Sequence, residues 1–304
     1  MTSTLSHLNY ALPDPRRGIL RVTGPDRRSF LQGLVSNDLD RLSPDRAIWA
    51  ALLMPQGKFL HDFMIVEQGE SLLLDAEGER LDDLKRRLSI YKLRSNVAIE
   101  AMPDRTSWVG WGPDATQRFG LTEPGQALHL DDATLFADPR RLDLGLRIIA
   151  PGEEAASLFE DRGFSGGHFA EWDRLRMSLG VPDGSRDMAI EKAILLENGF
   201  DELGGVAWDK GCYMGQELTA RTKYRGLVKK RLMPVRIDGP ALDPGTIIEG
   251  EDGSEAGEMR SARDGVGLAL LRLDAIRSGE TLKAGETALT PMPAGWMVLE
   301  PVKP

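Results

Sequence analysis

The sequence predicts an α+β chain that ends in a small all-β module, and three features predict it. Residues 18–101 alternate strand-like apolar runs with helix-period segments. A second strand-and-helix region opens near "TSWVGWG". Beyond "KKRLMPVRIDGP" the helical period fades, and short apolar runs alternate with Gly, Pro and Asp turns, the pattern of a barrel or sandwich.

Taken in order, "GILRVTGPDRRSFLQGLVSNDL" reads as a strand, a Gly-Pro turn and a helix, with Asp26 at the N-cap and Phe30, Leu31 and Leu34 as the apolar stripe. "WAALLMPQGKFLHDFMIVEQGESLLLDA" reads as a three-stranded meander broken by "PQGK" and "EQGE" turns. "GERLDDLKRRLSIYKL" follows as a helix that places Leu81, Leu84, Leu88 and Tyr91 on one face. In "FAEWDRLRMSLG" the spacing of Trp172, Leu175 and Leu179 predicts a helix stopped by Gly180. "LMPVRI", "GTIIEG", "GVGLALLRL" and "TALT" are the strands of the last module.

Composition bounds the function. At 304 residues, 41% hydrophobic and 28% charged, the chain has the profile of a soluble protein of two or three domains. No run approaches the roughly 18 apolar residues that span a bilayer, so no membrane partner is expected. "MTSTLSHLNYALPDPRRGIL" has no basic segment followed by an apolar one, and a single cysteine permits no internal disulfide; both suit a reducing cytoplasm. A net charge of −9 argues against direct nucleic-acid binding, and with it against a factor acting on RNA itself.

That charge is uneven. Lys210, Arg221, Lys223, Arg225, Lys229, Lys230 and Arg231 face a single anion, Glu217, between 210 and 231, whereas Glu197, Asp201, Glu202 and Asp209 stand just upstream without a cation. Such a juxtaposition suits a ligand with a donor-rich end and an anionic end; a solvated surface patch is the other reading. HExxH, CxxC and Walker A patterns are missing, the four histidines are scattered, and neither "GFSGGH" nor "GVGLAL" has dinucleotide-fingerprint spacing.

The one cysteine, Cys212, lies in "DKGCYMGQELTARTKYRG". The helix formers after the glycine place it just before a helix N-terminus, where the dipole and Lys210 favour a thiolate. Alternatively it packs as a small hydrophobe. Asp62, on the strand "KFLHDFMIV", shares a face with Leu60 and Met64. A carboxylate there must be paired, protonated or functional, unless the strand lies at an edge and Asp62 is solvated.

"KGCYMGQELTARTKYRG" closely resembles the signature of the YgfZ/GcvT-like folate-binding proteins, in which Lys-Gly-Cys-Tyr, one variable residue and Gly-Gln-Glu stand together. The resemblance extends through "GPDRRSFLQGLVSNDL", "ALLMPQGKFLHDFMIV", "YKLRSNVAIE" and "LLENGFDELGGVAWDKGCY", covering most of residues 18–231 and, more weakly, the C-terminal part. Within the family, aminomethyltransferases usually lack the cysteine; the iron–sulfur cluster assembly branch, including its mitochondrial members, carries it.

The resemblance implies a three-lobed aminomethyltransferase-like ring: residues 1–228 as two interleaved α+β lobes that bind tetrahydrofolate in a central channel, and residues 229–304 as a β-barrel. It assigns Glu197 to the pterin, Arg221, Lys223 and Arg225 to the glutamyl carboxylates, and Lys210, Tyr213 and Gln216 to the ligand through the signature. Asp62 falls near the aspartate that works on the folate nitrogen in aminomethyltransferases, with His61 one position away as the other alignment. The implied function is tetrahydrofolate-dependent support of cluster assembly or repair, with Cys212 as the reactive thiol and with cluster carriers and client enzymes as partners. The alternative is a folate-dependent one-carbon transferase that uses Asp62 as its acid/base group.

Overall fold

The computed structural model describes residues 7–13, 16–279 and 281–299. Two units interleave along the chain. The first comprises Met1–Leu52, His61–Phe169 and Leu203–Met214; the second comprises Leu53–Leu60, Ala170–Glu202 and Gly215–Pro304.

The first unit runs β1 (Asn9–Ala11), β2 (Arg17–Thr23), α1 (Arg27–Gln32), β3 (Ile48–Leu53), β4 (Phe59–Gln68), β5 (Ser71–Glu77), α2 (Leu81–Tyr91), β6 (Ala98–Ala101), β7 (Arg105–Trp111), β8 (Ala127–Leu130), β9 (Ala133–Ala137), β10 (Leu146–Pro151), α3 (Glu154–Glu160) and β11 (Ser165–Gly166). They make a five-stranded sheet of order β3-β4-β5-β2-β6 and a six-stranded sheet of order β11-β1-β7-β10-β9-β8. Period-two alternation sorts the first sheet into two faces. Leu20, Val22, Phe63, Ile65, Leu72 and Leu74 pack with Phe30 and Leu31 of α1 and Leu84 and Leu88 of α2. On the second sheet, Leu146 and Ile148 pack with Ala155 and Phe159 of α3.

Between the two sheets the layer is partly charged. Asp75 on β5 accepts from Arg17 at 2.7 Å and from Ser107 on β7 at 2.9 Å, with Arg147 on β10 at 3.4 Å. Each partner is needed, because a buried carboxylate left alone would cost several kcal/mol.

Asp26 precedes α1, as its sequence predicts, but makes no capping bond. Its carboxylate accepts instead from the Asn96 amide at 2.7 Å. Tyr91, expected on the buried stripe of α2, is 37% exposed. It is the last residue of the helix, beyond the reach of the core that holds Leu84 and Leu88.

The second unit contains α4 (Phe169–Ser178), α5 (Gly184–Asp187), α6 (Gln216–Tyr224), β12 (Lys230–Asp238), β13 (Ile247–Glu249), β14 (Glu255–Arg263), β15 (Val266–Arg272), α7 (Leu273–Ser278), β16 (Leu282–Ala284) and β17 (Thr287–Pro291). The six strands form a closed barrel of order β12-β15-β14-β13-β16-β17, filled by Met233, Val235, Ile248, Met259, Leu271 and Leu289 among others. Gly180 stops α4 as expected, at φ 75°.

The buried face of α4 is rotated from the expected one. Trp172, Asp173, Arg176 and Met177 are buried, whereas Leu175 and Leu179 are half-buried. The charges can turn inward because they satisfy each other: Arg176 donates to Asp173 at 2.8 Å and to Asp187 at 2.6 Å. Asp187 is also held by the Ser261 hydroxyl and the Asp183 amide. Arg186 adds a second bond to Asp173 at 2.8 Å. This is a network with few open valences, the only form in which buried ions are tolerated.

Candidate functional site

In the first unit the cysteine loop, residues 203–214, is laced onto the segment "QGLVSN" that follows α1. Ser36 donates to the Gly205 carbonyl at 2.6 Å, and Asn37 to the Gly204 carbonyl at 2.8 Å. The amides of Ala207 and Met214 donate to the carbonyls of Ser36 and Gly33. Leu203, Val206 and Ala207 are buried beneath these bonds.

Lys210 completes the attachment. Its ammonium donates to the carbonyls of Gln32, Val35 and Asn37 at 2.9, 2.8 and 2.7 Å, which uses all three of its hydrogens. It also lies 5.1 Å from the centroid of the Tyr213 ring, a cation–π contact on a buried side chain. Burial pushes the Lys210 pKa down to about 8, against the pull of Asp38 and Asp40. Lys210 thus serves the loop, and its charge is engaged rather than offered to the thiol. Cys212 itself is exposed, so packing as a small hydrophobe is not its place. The helix expected after it begins at Gln216, with Gly215 at the N-cap.

Asp62 also lies in the first unit. β4 runs between β3 and β5, so the edge reading does not hold, and the side chain is 4% exposed. Trp49 Nε1 donates to Asp62 Oδ2 at 2.9 Å, whereas Oδ1 is buried with no hydrogen-bond partner. Burial pushes its pKa up to about 6; the Glu77 charge adds to this, and Arg17, the Trp49 N–H and Arg140 oppose it. Arg140 in turn stands 5.4 Å from the centroid of the Trp49 ring and is bound to Asp138.

His61 points to the other face of β4. There Nε2 pairs with Asp83 of α2 at 2.9 Å. Burial, with Arg80 adding, lowers its pKa to about 4 and keeps the ring neutral. The two neighbours are chemically distinct: His61 has a partner, and Asp62 keeps an open oxygen.

The second unit holds the remaining candidates. Glu197 lies on a single 3-10 turn, Leu195–Asn198, that packs against α6 and β12. Burial raises its pKa, opposed by Lys58, Lys230 and the Lys230 backbone amide. On α6, Lys223 pairs with Asp201 at 2.8 Å. Arg221 and Arg225 are exposed, and Gln216 is half-buried. Gly215 has φ 79°, and a Cβ there would meet the Met54 carbonyl oxygen at 2.4 Å. A Cβ on Gly57 would likewise meet Leu218 Cβ at 2.5 Å. The glycines of "PQGK" and "MGQE" therefore let the turn at 54–57 and the start of α6 touch backbone to backbone.

Sequence reasoning missed the carbonyl cage of Lys210 and the Trp49–Arg140 surroundings of Asp62. Backbone acceptors carry no residue signature; the only sequence signal for the cage was that "LQGLVSND" and "KGCY" both belonged to the resemblance. Among the described residues no helix is long and apolar enough to cross a membrane, and no group of three His, Cys, Asp or Glu residues could hold a metal ion.

Comparison with known proteins places this geometry. Residues 229–299 match the family model for the CAF17 C-terminal beta-barrel domain. The glycine cleavage system aminomethyltransferase T of Bartonella henselae has a similar fold, with a TM-score of 0.80 over 97% of this chain and 88% of that one at 15% identity. This bears out the aminomethyltransferase-like architecture expected from the sequence. The mitochondrial iron-sulfur cluster assembly factor IBA57 of Mus musculus is 33% identical over 299 residues, covering 91% of this chain and 82% of its own. Its Homo sapiens counterpart is 34% identical over 294 residues, covering 90% and 80%. With identity of that extent across nearly its whole length, the chain belongs to the family of IBA57 iron–sulfur cluster assembly factors.

Proposed function

We propose that this chain supports the assembly or repair of iron–sulfur clusters in client enzymes, that Cys212 is its cluster-contacting thiol, and that reduced folate is its ligand. The observation that carries the proposal is an exposed thiol on a loop fastened by Lys210 and by the backbone bonds to residues 33–37. A free cysteine is usually buried; one held out in solvent on an anchored loop is available to a partner. One thiol is a fraction of the roughly four thiolates a cluster takes, so carrier or client proteins supply the others. An exposed, unpaired thiol also suits a reducing compartment.

The folate part rests on the donor and acceptor set. Asp62 Oδ1 is an acceptor without a donor inside the first unit, the kind of oxygen that a ligand N–H satisfies. Glu197 is a half-buried carboxylate whose charged form burial disfavours, and the paired amide and amino donors of a pterin would stabilise that form. Arg221 and Arg225 are exposed guanidiniums for the glutamyl carboxylates. Lys210 enters as the residue that holds the loop rather than as a ligand contact. A one-carbon transferase draws on one of the same observations, since a carboxyl with a pKa raised to about 6 is poised for acid/base work.

Anaerobic titration with tetrahydrofolate and with a cluster-loaded carrier tests the reading. Calorimetric binding of tetrahydrofolate that Glu197→Ala weakens by about 1–3 kcal/mol, and cluster spectra that change with wild type but not with Cys212→Ala, are the expected results. Rapid formation of methylenetetrahydrofolate from an aminomethyl-loaded carrier, abolished by Asp62→Asn, would instead put the transferase first.

A further inference from the structure

The end of α2 carries an apolar surface that neither Cys212 nor the folate candidates use. Ile90, Tyr91 and Leu93 are 59%, 37% and 88% exposed. Leu93 has φ 42°, a left-handed conformation that a leucine rarely adopts. Beside them opens a cavity of about 780 Å³, with Phe30, Tyr91, Leu93 and Arg94 in its walls.

The charge around it is one-sided. Between Leu84 and Ile99 stand Lys85, Arg86, Arg87, Lys92 and Arg94 without a single carboxylate, in a chain of net charge −9. Arg86 and Arg87 are engaged by Asp83. Lys92 and Arg94 have no ion-pair partner among the described residues. The one acid in the cavity wall, Asp26, is taken up by the Asn96 amide at 2.7 Å.

We propose that this surface docks an acidic segment of a partner protein, with an apolar side chain entering beside Phe30 and Tyr91 and flanking carboxylates meeting Lys92 and Arg94. Charge complementarity selects this occupant. A second copy of the chain, packed on the same face by a two-fold axis, would set these cations against themselves. An anionic bilayer would bring a plane of headgroups over Asp26 as well as over the cations, whereas a peptide can place its carboxylates at Lys92 and Arg94 alone.

The probe is a short fluorescent peptide with Leu and Phe at its centre and glutamates on both sides. Two counterparts carry lysines for the glutamates or serines for the apolar pair. The glutamate peptide is expected to bind the intact chain in a salt-sensitive way. Leu93→Ser and Arg94→Glu, both at exposed positions with melting temperatures matching wild type, are expected to weaken it about tenfold or more. The two counterpart peptides are expected not to bind. No binding of the glutamate peptide up to about 1 mM, equal binding by the variants, or preference for the lysine peptide overturns the proposal. So does a concentration-dependent dimer, or adsorption to phosphatidylserine vesicles, that Leu93→Ser abolishes.

Discussion

The ammonium of Lys210 donates to the carbonyl oxygen of Val35 at 2.8 Å, across 175 positions of the chain. With Gln32 and Asn37 it fills a cage of three carbonyls, and these bonds decide where the thiol two residues later is presented. A lysine read as a ligand contact is, in the fold, the fastening of the loop.

Lys210→Met keeps the unbranched stem, one atom shorter, and removes every donor. The three carbonyls then lose their partner, and a loss of about 1–3 kcal/mol in global stability is expected. Amide hydrogen exchange across 203–214 should rise further than elsewhere. Unchanged protection in that loop would show that the backbone bonds to residues 33–37 suffice alone.

Cys212→Ala should fold and melt within about 0.5 kcal/mol of wild type, because the exposed sulfur contributes no core contact. The same variant should fail to restore cluster-dependent enzymes in cells lacking the protein. Full complementation would remove the thiol from the proposed chemistry.

Asp62 makes the chain's stability depend on pH in a distinctive sense. Its folded pKa, about 6, lies above the ordinary 3.8. Its contribution is therefore fully present below about pH 4 and is lost as pH rises through 6. His61, lowered to about 4, acts oppositely: its contribution is present above about 6.5 and lost as pH falls through 4. Only a difference measurement separates the two. Asp62→Asn, compared with wild type by urea unfolding, should be more stable by about 1–3 kcal/mol at pH 7.5 and should lose that advantage by pH 4. An advantage independent of pH would mean that the Asp62 pKa is not raised in the fold.

Gly215→Ala places a methyl 2.4 Å from the Met54 carbonyl oxygen at a backbone φ of 79°. A cost of about 2–4 kcal/mol is expected, as at other strained positions. Gly33→Ala is the control: it has φ −78° and nothing within 4 Å, so its stability should match wild type within about 1 kcal/mol. Similar urea midpoints for the two variants would refute the close-contact account.

The parts of this molecule that were legible in advance share a cause. The β3–β5 meander is a set of nearly continuous apolar runs bounded by glycine turns and buried on both faces, so local pattern and tertiary burial agree. On α4 they disagree, because Asp173 and Arg176 are buried through partners as distant as Asp187, which no helical period announces. β14, "EAGEMRSAR", lacks β-branched residues and went unread as a strand; barrel closure, not propensity, makes it one. At the site, Cys212 and Asp62 stood out by residue type. The roles of Lys210 and Trp49 depend on where the chain returns, which only the fold supplies.

The barrel that ends the described chain has a consequence for the protein's solubility. β12 pairs with β15 on one side and β17 on the other, so every strand has two neighbours and the sheet offers no row of unpaired amides to a passing molecule. That protection hangs on five residues, Thr287–Pro291. A chain cut before them, or one whose β17 peels away on heating, would bare the flanks of β12 and β16 together. It would then present two templates for strand addition within one molecule, a geometry that propagates into chains rather than stopping at pairs.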